Sequence, residues 1–397
     1  MLDAATWRFV AEHRHDDVRQ LALQGSRYPE VDMPQALMQI AGWQSAASKI
    51  PSLSNVEGVL FPPHLSMEQC SSEQTAAYKA SLVKGESLTD LTGGFGIDTA
   101  FLARRFTHAT YVERQPLLCD LARHNFPLWS LPHVAVHGAE ATEYLEQMEP
   151  VDWIYLDPAR RDRRGGKAVA ISDCEPNVAQ LEERLLQKAP HVLIKLSPML
   201  DLWQACAELH HVVEGHIVSV AGECKELLLV LDRQAEMPVD EVPVVAVNLQ
   251  SDGSSQTLRF TRRSEQEASC SFADAPSTYL YEPHASLLKG GAFRSLAYIY
   301  KVEKLHPNSH LYTSDRWIPS FPGRAFRVES FGGFGKRELK SLLADLRQAN
   351  LTVRNFPASV ADLRKRLHLA EGGDTYLFAT TLADGNKVLI RCRKSIE

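Results

Sequence analysis

The chain has 397 residues, 44% of them hydrophobic and 23% charged, proportions that exclude a disordered chain and leave apolar mass for two or three domains. No run approaches the roughly 18 consecutive apolar residues of a membrane span, and the opening MLDAATWRFVAEHRHDD has no basic stretch leading into an apolar one, so a cytoplasmic protein with no membrane partner is expected. The formal net charge is −6, yet residues 301–397 hold 17 Lys and Arg against 10 Asp and Glu, which sets that segment at +7 and the rest at −13. A basic C-terminal third either meets phosphates or belongs to a well-solvated mixed surface.

Residues 1–70 read as a helical N-terminal segment. Trp7, Val10 and Ala11, then Val18, Leu21 and Leu23, then Leu37, Ile40 and Ala41 recur at helical spacing. Pro51 and Pro62-Pro63 interrupt it, and Ser71-Ser72-Glu73-Gln74 before an Ala-rich stretch marks a helix start.

Residues 71–235 form the next domain. Short apolar runs alternate with helical segments, the pattern of βαβ units around a parallel sheet. The expected strands are Ser87 to Leu91, Thr110 to Glu113, Val134 to His137, Trp153 to Asp157, Val192 to Leu196, Ile217 to Val220 and Leu227 to Leu231. Between the last two lie only Ala221 to Glu226, too few for a helical crossover, so they form an antiparallel hairpin at the sheet edge. The fold class expected is α/β: a Rossmann-like, mostly parallel seven-stranded sheet with a terminal antiparallel hairpin. That hairpin, and the lack of a second nucleotide-binding half, speak against a dehydrogenase.

Residues 236–329 read as a strand-rich α+β region, with Val244 to Leu249 and Thr257 to Thr261 as strands. Residues 330–397 read as a separate small α+β domain: Lys336 to Ala349 helical, Leu351 to Val353 extended, Ser359 to Leu367 helical, then a hairpin of Tyr376 to Thr381 and Lys387 to Cys392 across Asp384-Gly385.

Three places carry chemistry. The first, Asp90-Leu91-Thr92-Gly93-Gly94-Phe95-Gly96, ends a strand and opens a helix. Its glycines permit positive φ and let a cofactor approach the backbone with no Cβ in the way; taken alone it is also an ordinary tight turn. The second is Glu113 at the end of the following strand, about 20 positions on, where an acidic residue hydrogen-bonds ribose hydroxyls in nucleoside-binding sheets. Glu140, after the third strand, is a further candidate on the cofactor's base side. The third is Asp157-Pro158-Ala159-Arg160-Arg161 at the carboxyl end of the fourth strand, facing the switch crevice of such a sheet.

Asp157 points at the reacting group there, and Pro158 stiffens the turn that presents it. Arg160 and Arg161, with Arg163 and Arg164, form a cluster that either grips an anionic substrate or is a solvated loop. Lys195, on an otherwise apolar strand, anchors an anionic substrate or pairs with Asp157, pairing being the more ordinary role. The seven cysteines are scattered, odd in number and without a C-x-x-C pair, so reduced thiols and no metal are expected. Cys206 and Cys224 lie badly for thiol catalysis.

Together, Asp90-Leu91-Thr92-Gly93-Gly94-Phe95-Gly96, Glu113 and Asp157-Pro158-Ala159-Arg160 resemble a class I methyltransferase dependent on S-adenosylmethionine (SAM). More narrowly, they resemble the bacterial group with a C-terminal THUMP-like domain. Asp32-Met33-Pro34, Gln39-Ile40-Ala41-Gly42, Val353-Arg354-Asn355-Phe356-Pro357 and Gly372-Gly373-Asp374 extend the resemblance over most of the chain. It implies SAM held by Asp90, Thr92, Gly93, Gly94, Gly96, Glu113 and Glu140, with Asp157 and Pro158 at the methyl group and Arg160, Arg161 and Lys195 toward the substrate. THUMP domains deliver RNA to an attached catalytic domain, so an RNA partner, tRNA or rRNA methylated on a base nitrogen, is implied. The amine-methylating turn Asp/Asn-Pro-Pro-aromatic has Ala159 and Arg160 in its last two places here. Alternatives are a methyltransferase acting on a protein or small molecule, and a SAM- or RNA-binding module without turnover.

Overall fold

The computed structural model describes residues 2–160 and 170–394. The chain divides into two compact units, Met1–Val213 with Leu227–Met237, and Glu214–Glu226 with Pro238–Glu397.

The first unit opens with helices α1 (Ala4–His13) and α2 (Met33–Lys49), which close a small core of Phe9, Val10, Leu21, Ala36 and Ile40. Ala36 and Ile40 stand four apart, so α2 offers them on one face; Leu23, expected inward, is 87% exposed. Two buried carboxamides then pin the connection toward the sheet. Gln39 exchanges two hydrogen bonds with the backbone of Phe61 (2.8 and 2.9 Å), and Asn125 does the same with Leu60 (2.8 and 3.0 Å). Each satisfies peptide groups that no ladder could reach.

Helix α3 (Glu73–Ser81) starts where Ser72 caps Thr75 N–H. The sheet follows: β1 (Ser87–Asp90), α4 (Ile97–Leu102), β2 (His108–Glu113), α5 (Pro116–Leu128), β3 (Val134–Gly138), α6 (Ala141–Gln147), β4 (Trp153–Leu156), α7 (Val178–Lys188), β5 (His191–Leu196) and α8 (Leu202–Glu208). The strands β3-β2-β1-β4-β5 are all parallel, and β7 (Glu223–Asp232) runs antiparallel to β5. Its hairpin partner β6 (Val212–Val220) begins five residues before the expected Ile217, because His216 is buried beside Glu214 inside the strand. β7 likewise begins at Glu223, four residues before the expected Leu227, so the turn shrinks to Ala221-Gly222, both at positive φ. β4 ends one residue early: the Asp157 N–H leaves the ladder for Thr92 Oγ1 at 2.6 Å, and Pro158 has no N–H to continue it.

In the second unit β8 (Val244–Leu249) and β9 (Ser255–Phe260) form a hairpin, β8 running parallel to β6, so the sheet has nine strands and not the expected seven, and the β6–β7 hairpin does not lie at its edge. A second sheet holds β10 (Tyr279–Pro283), β11 (Tyr312–Ser314), β12 (Gly323–Gly332), β13 (Asn350–Arg354), β14 (Thr375–Thr381) and β15 (Lys387–Lys394), ordered β11-β10-β12-β15-β14-β13, with Glu303–Lys304 at the β11 edge. The boundary expected at 329/330 falls within β12, which pairs with β10 on one side and β15 on the other. The two C-terminal regions thus share one sheet. Alternate residues of β14 and β15 enter two clusters: Phe378 and Ile390 on one face, Leu377, Ala379 and Leu389 on the other. Helices α9 (Lys336–Leu342) and α10 (Val360–Leu367) cover the second face through Leu342, Leu363 and Leu367. α9 stops seven residues before the expected Ala349, where Arg391 takes the Leu342 carbonyl (3.1 Å) and both oxygens of Asp345. Among the described residues no helix is long and apolar enough to cross a membrane.

Candidate active site

The carboxyl ends of β1, β2, β4 and β5 lie side by side, and register decides what meets there. Asp90 pairs with Tyr111 and Tyr155, and Leu156 with Ile194, which brings Asp157 level with Lys195. After β1 the chain turns through Gly94 and Gly96, both at positive φ. The protein itself requires glycine at 93, because a Cβ there would stand 2.1 Å from the Tyr111 ring. Gly94 differs: a Cβ would meet only Thr92 O at 3.9 Å, so this part of the turn is open to an approaching group.

The acids around the turn are partly consumed by it. Asp90 is fully buried, accepting from Thr92 N at 2.9 Å and Thr99 Oγ1 at 2.5 Å. Burial pushes its carboxyl up to about 7 against the pull of those two bonds. It therefore braces the turn from behind. Glu113, 9% exposed, accepts from Gly94 N at 2.9 Å and Gln115 N at 2.8 Å. Each carboxylate oxygen retains acceptor capacity, so Glu113 both shapes the turn and offers oxygens beside its open glycine.

After β4, Lys195 Nζ lies 2.6 Å from Asp157 Oδ2, the pairing that an apolar strand's single lysine called for. It also lies 3.3 Å from Ser71 Oγ and 3.7 Å from Asp98 Oδ2. Asp98 in turn receives Lys79 at 3.2 Å, Ser71 Oγ at 2.8 Å and Tyr155 Oη at 2.7 Å. Burial alone would raise the Asp98 carboxyl, but Lys79 and Lys195, with those two hydrogen bonds, hold it well below the usual range. The result is a line of alternating charge, Lys79, Asp98, Lys195, Asp157, running from a fully buried lysine to a carboxylate whose side chain is 37% exposed.

Sequence reasoning missed Lys79, Asp98, Ser71 and Tyr155. A signal existed for the lysine: it shares one face of α3 with Thr75, Ala76 and Ala80, all buried. The other expected residues are placed as follows. Glu140 is exposed at the start of α6, 3.7 Å from Arg114. Pro158 is buried, and Ala159–Arg160 pairs with Cys174–Glu175 in a two-stranded ribbon. Arg161, Arg163 and Arg164 lie outside the described residues. Burial pushes the Cys206 thiol up to about 12 and Cys224 up to about 11, which disfavours either as a nucleophile.

A parallel sheet in the order β3-β2-β1-β4-β5, continued by the antiparallel strand β7 of a hairpin, with a glycine turn after β1 and an acid ending β2, is a class I methyltransferase fold. The family models that match describe a ferredoxin-like domain at 279–322 and a THUMP domain-like segment at 323–394. A protein of Porphyromonas gingivalis W83, provisionally assigned as a methyltransferase, superposes with a TM-score of 0.90 at 37% identity, covering 100% of both chains. The chain belongs to this family, class I methyltransferases with a C-terminal THUMP-like domain. Far weaker likenesses include a Streptococcus pneumoniae protein provisionally assigned as a tRNA (m1A22) methyltransferase (19% identity, 44% of this chain, 75% of that chain, TM-score 0.33). An rRNA methylase of Streptococcus thermophilus is another (14% identity, 40% of this chain, 93% of that chain, TM-score 0.28). No curated protein matches the sequence.

Proposed function

We propose that the protein transfers the methyl group of SAM to a base nitrogen of tRNA or rRNA. The observation that carries this reading is the juxtaposition, on neighbouring parallel strands, of a glycine turn open at Gly94 with the Glu113 carboxylate beside it and Asp157 across from it. The cofactor fits the donor set: Glu113 has acceptor capacity for ribose hydroxyls, the Gly94 backbone is approachable, and Thr92 is half-buried at the turn. Asp90 would act on the cofactor through Thr92 and the shape of the turn, its own oxygens being spent inside. Gly93 and Gly96 would set the backbone, and Glu140 is exposed where it can reach the base end. SAM, when bound, supplies an electrophilic methyl group.

The chain's own residues then position the acceptor. Asp157 Oδ2 is held by Lys195, while Oδ1 has no hydrogen bond among the described residues and is available to a donor N–H. Holding that N–H aligns the nitrogen lone pair, and alignment is where most of such catalysis resides. Pro158 keeps the turn stiff, and Arg160 and Arg161, which follow it in sequence, would supply charge for an anionic substrate. The RNA partner is supported by the THUMP domain-like match at 323–394 and by the +7 charge of residues 301–397.

Calorimetry with SAM tests the reading. Glu113→Ala should weaken binding by about 10- to 100-fold, the worth of hydrogen bonds to a charged group. Asp157→Ala should leave SAM affinity within about threefold while labelled-methyl transfer to RNA falls by about 100-fold or more. Unchanged turnover in the second variant would remove Asp157 from the mechanism.

A further inference from the structure

Asp157 reaches the crevice mouth already carrying a cation. Lys195 contacts only one of its oxygens, at 2.6 Å, and the lysine's own place is fixed from below by Ser71 at 3.3 Å and Asp98 at 3.7 Å. Among the described residues, the charged groups around Asp157 are Lys195 on β5, Asp98 on α4, Asp90 on β1 and, beyond Asp98, Lys79 on α3. Along the line Lys79, Asp98, Lys195, Asp157 two positive groups balance two negative ones, and Asp90, whose carboxyl burial pushes up to about 7, stands outside that line. A solitary carboxylate at a crevice attracts ammonium ions; a carboxylate whose counter-ion is built in does not.

We propose that Lys195 is the positioning residue that holds Asp157 as a one-sided hydrogen-bond acceptor, and that it restricts the acceptor to an uncharged N–H of a nucleobase, excluding alkylammonium groups. This rests on the reading that methyl transfer takes place at this crevice. The geometry supports both halves. With Oδ2 occupied, Oδ1 alone receives the acceptor, so the amine's direction of approach is set. An incoming ammonium would have to compete with Lys195, whose side chain is 12% exposed and linked to Asp98, and take from it its shortest contact with a carboxylate.

The test uses the full chain as wild type, Lys195→Met and Lys195→Arg, with two readouts. In labelled-methyl transfer from SAM, wild type should modify RNA from cells lacking the gene and leave spermidine and a lysine-rich peptide unlabelled. Lys195→Met should lose at least about tenfold in kcat on RNA, with SAM affinity by calorimetry within about twofold. Lys195→Arg should recover most of that loss, which a purely packing role would not produce. Calorimetry with spermidine gives the second readout: binding should tighten at least about fivefold in Lys195→Met and not in Lys195→Arg. Undiminished RNA methylation by Lys195→Met, or preferential labelling of spermidine or lysine by wild type, overturns the proposal. Absence of SAM binding in wild type would instead sink the methyltransferase reading, while the spermidine comparison would still decide whether Lys195 neutralises Asp157. Should Lys195→Met not fold, the proposal stands or falls on Lys195→Arg: it must retain RNA methylation and exclude spermidine.

Discussion

Each unit buries a charged cluster, and the two are built to different ends. In the second unit Glu282, 3% exposed on β10, accepts from Arg324 of β12 at 2.9 Å and from Arg354 of β13 at 2.8 Å. One buried carboxylate meets two half-exposed guanidiniums, both its oxygens are spent, and nothing points onward. It is a clamp, and it joins the ferredoxin-like segment at 279–322 to the THUMP-like segment at 323–394. In the first unit the charges form a line that starts at a fully buried Lys79 and ends at Asp157, one of whose oxygens has no hydrogen bond among the described residues. A cluster that closes on itself holds structure together; one that ends on an open acceptor also presents a functional group.

The largest effect expected from breaking this contrast is at the buried end of the line. Lys79→Met removes a cation with no exposure and leaves Asp98 short of its nearest counter-charge, so stability should fall by about 3–5 kcal/mol. Adding Asp98→Asn should restore a substantial part of it. Denaturant unfolding of the two variants measures this; a loss below about 1 kcal/mol in the single variant would show that the line does not support the fold.

The next effect separates the two buried acids behind the site by pH. Asp98 is held low, so its contribution is present above the unfolded carboxylate value and is lost as pH falls toward about 2. Asp90 is raised to about 7 by burial and has opposite sign: between about pH 4 and 7 the folded state holds a proton that the unfolded chain has released, so stability drops as pH rises. Asp90→Asn can keep both threonine partners and should remove that drop, on the order of 2–4 kcal/mol across the interval. Melting temperatures at a series of pH values would show it as a flatter profile, and an unaltered profile would mean that Asp90 is ionised in the folded protein at neutral pH.

What was legible in the sequence follows the same division. The apolar runs made β1, β2, β4 and β5 legible, because parallel strands inside a sheet carry their pattern in nearly every residue, whereas the edge strand β3 is buried only at Val134 and was legible from its place between two helical segments. Asp157, Lys195 and Glu113 were legible because a charge at the end of an apolar strand has few other uses. Lys79 and Asp98 were not, since each sits among ordinary helix residues and acquires meaning only when α3 packs against α4. The glycine turn has a partner that its local sequence does not show: Gly93 makes room for Tyr111, whose ring comes from the next strand. The 329/330 boundary failed for a related reason, as pairing of β12 with both β10 and β15 is non-local and leaves no local trace.

Breaking the clamp should cost less than breaking the line. Glu282→Gln leaves two guanidiniums without a charged partner, but both are more than a third exposed and can turn to water, so about 1–2 kcal/mol is expected. SAM affinity should not move. A change in affinity larger than about threefold would mean that this clamp also supports the cofactor-binding turn.

The smallest effect marks the outer limit of the site. Glu140 and Arg114 are both more than half exposed at 3.7 Å, a pair in which solvent screening and side-chain entropy offset nearly all of the attraction. Glu140→Ala should therefore change stability by less than about 0.5 kcal/mol, which makes it a clean probe of its other expected role. If Glu140 reaches the base end of the cofactor, SAM affinity should weaken by about two- to fivefold at low salt while binding of methionine, which lacks the base, stays the same. Equal SAM affinity in the variant would confine the cofactor's acidic contacts to Glu113, the one carboxylate that the turn itself holds in place through Gly94 N–H.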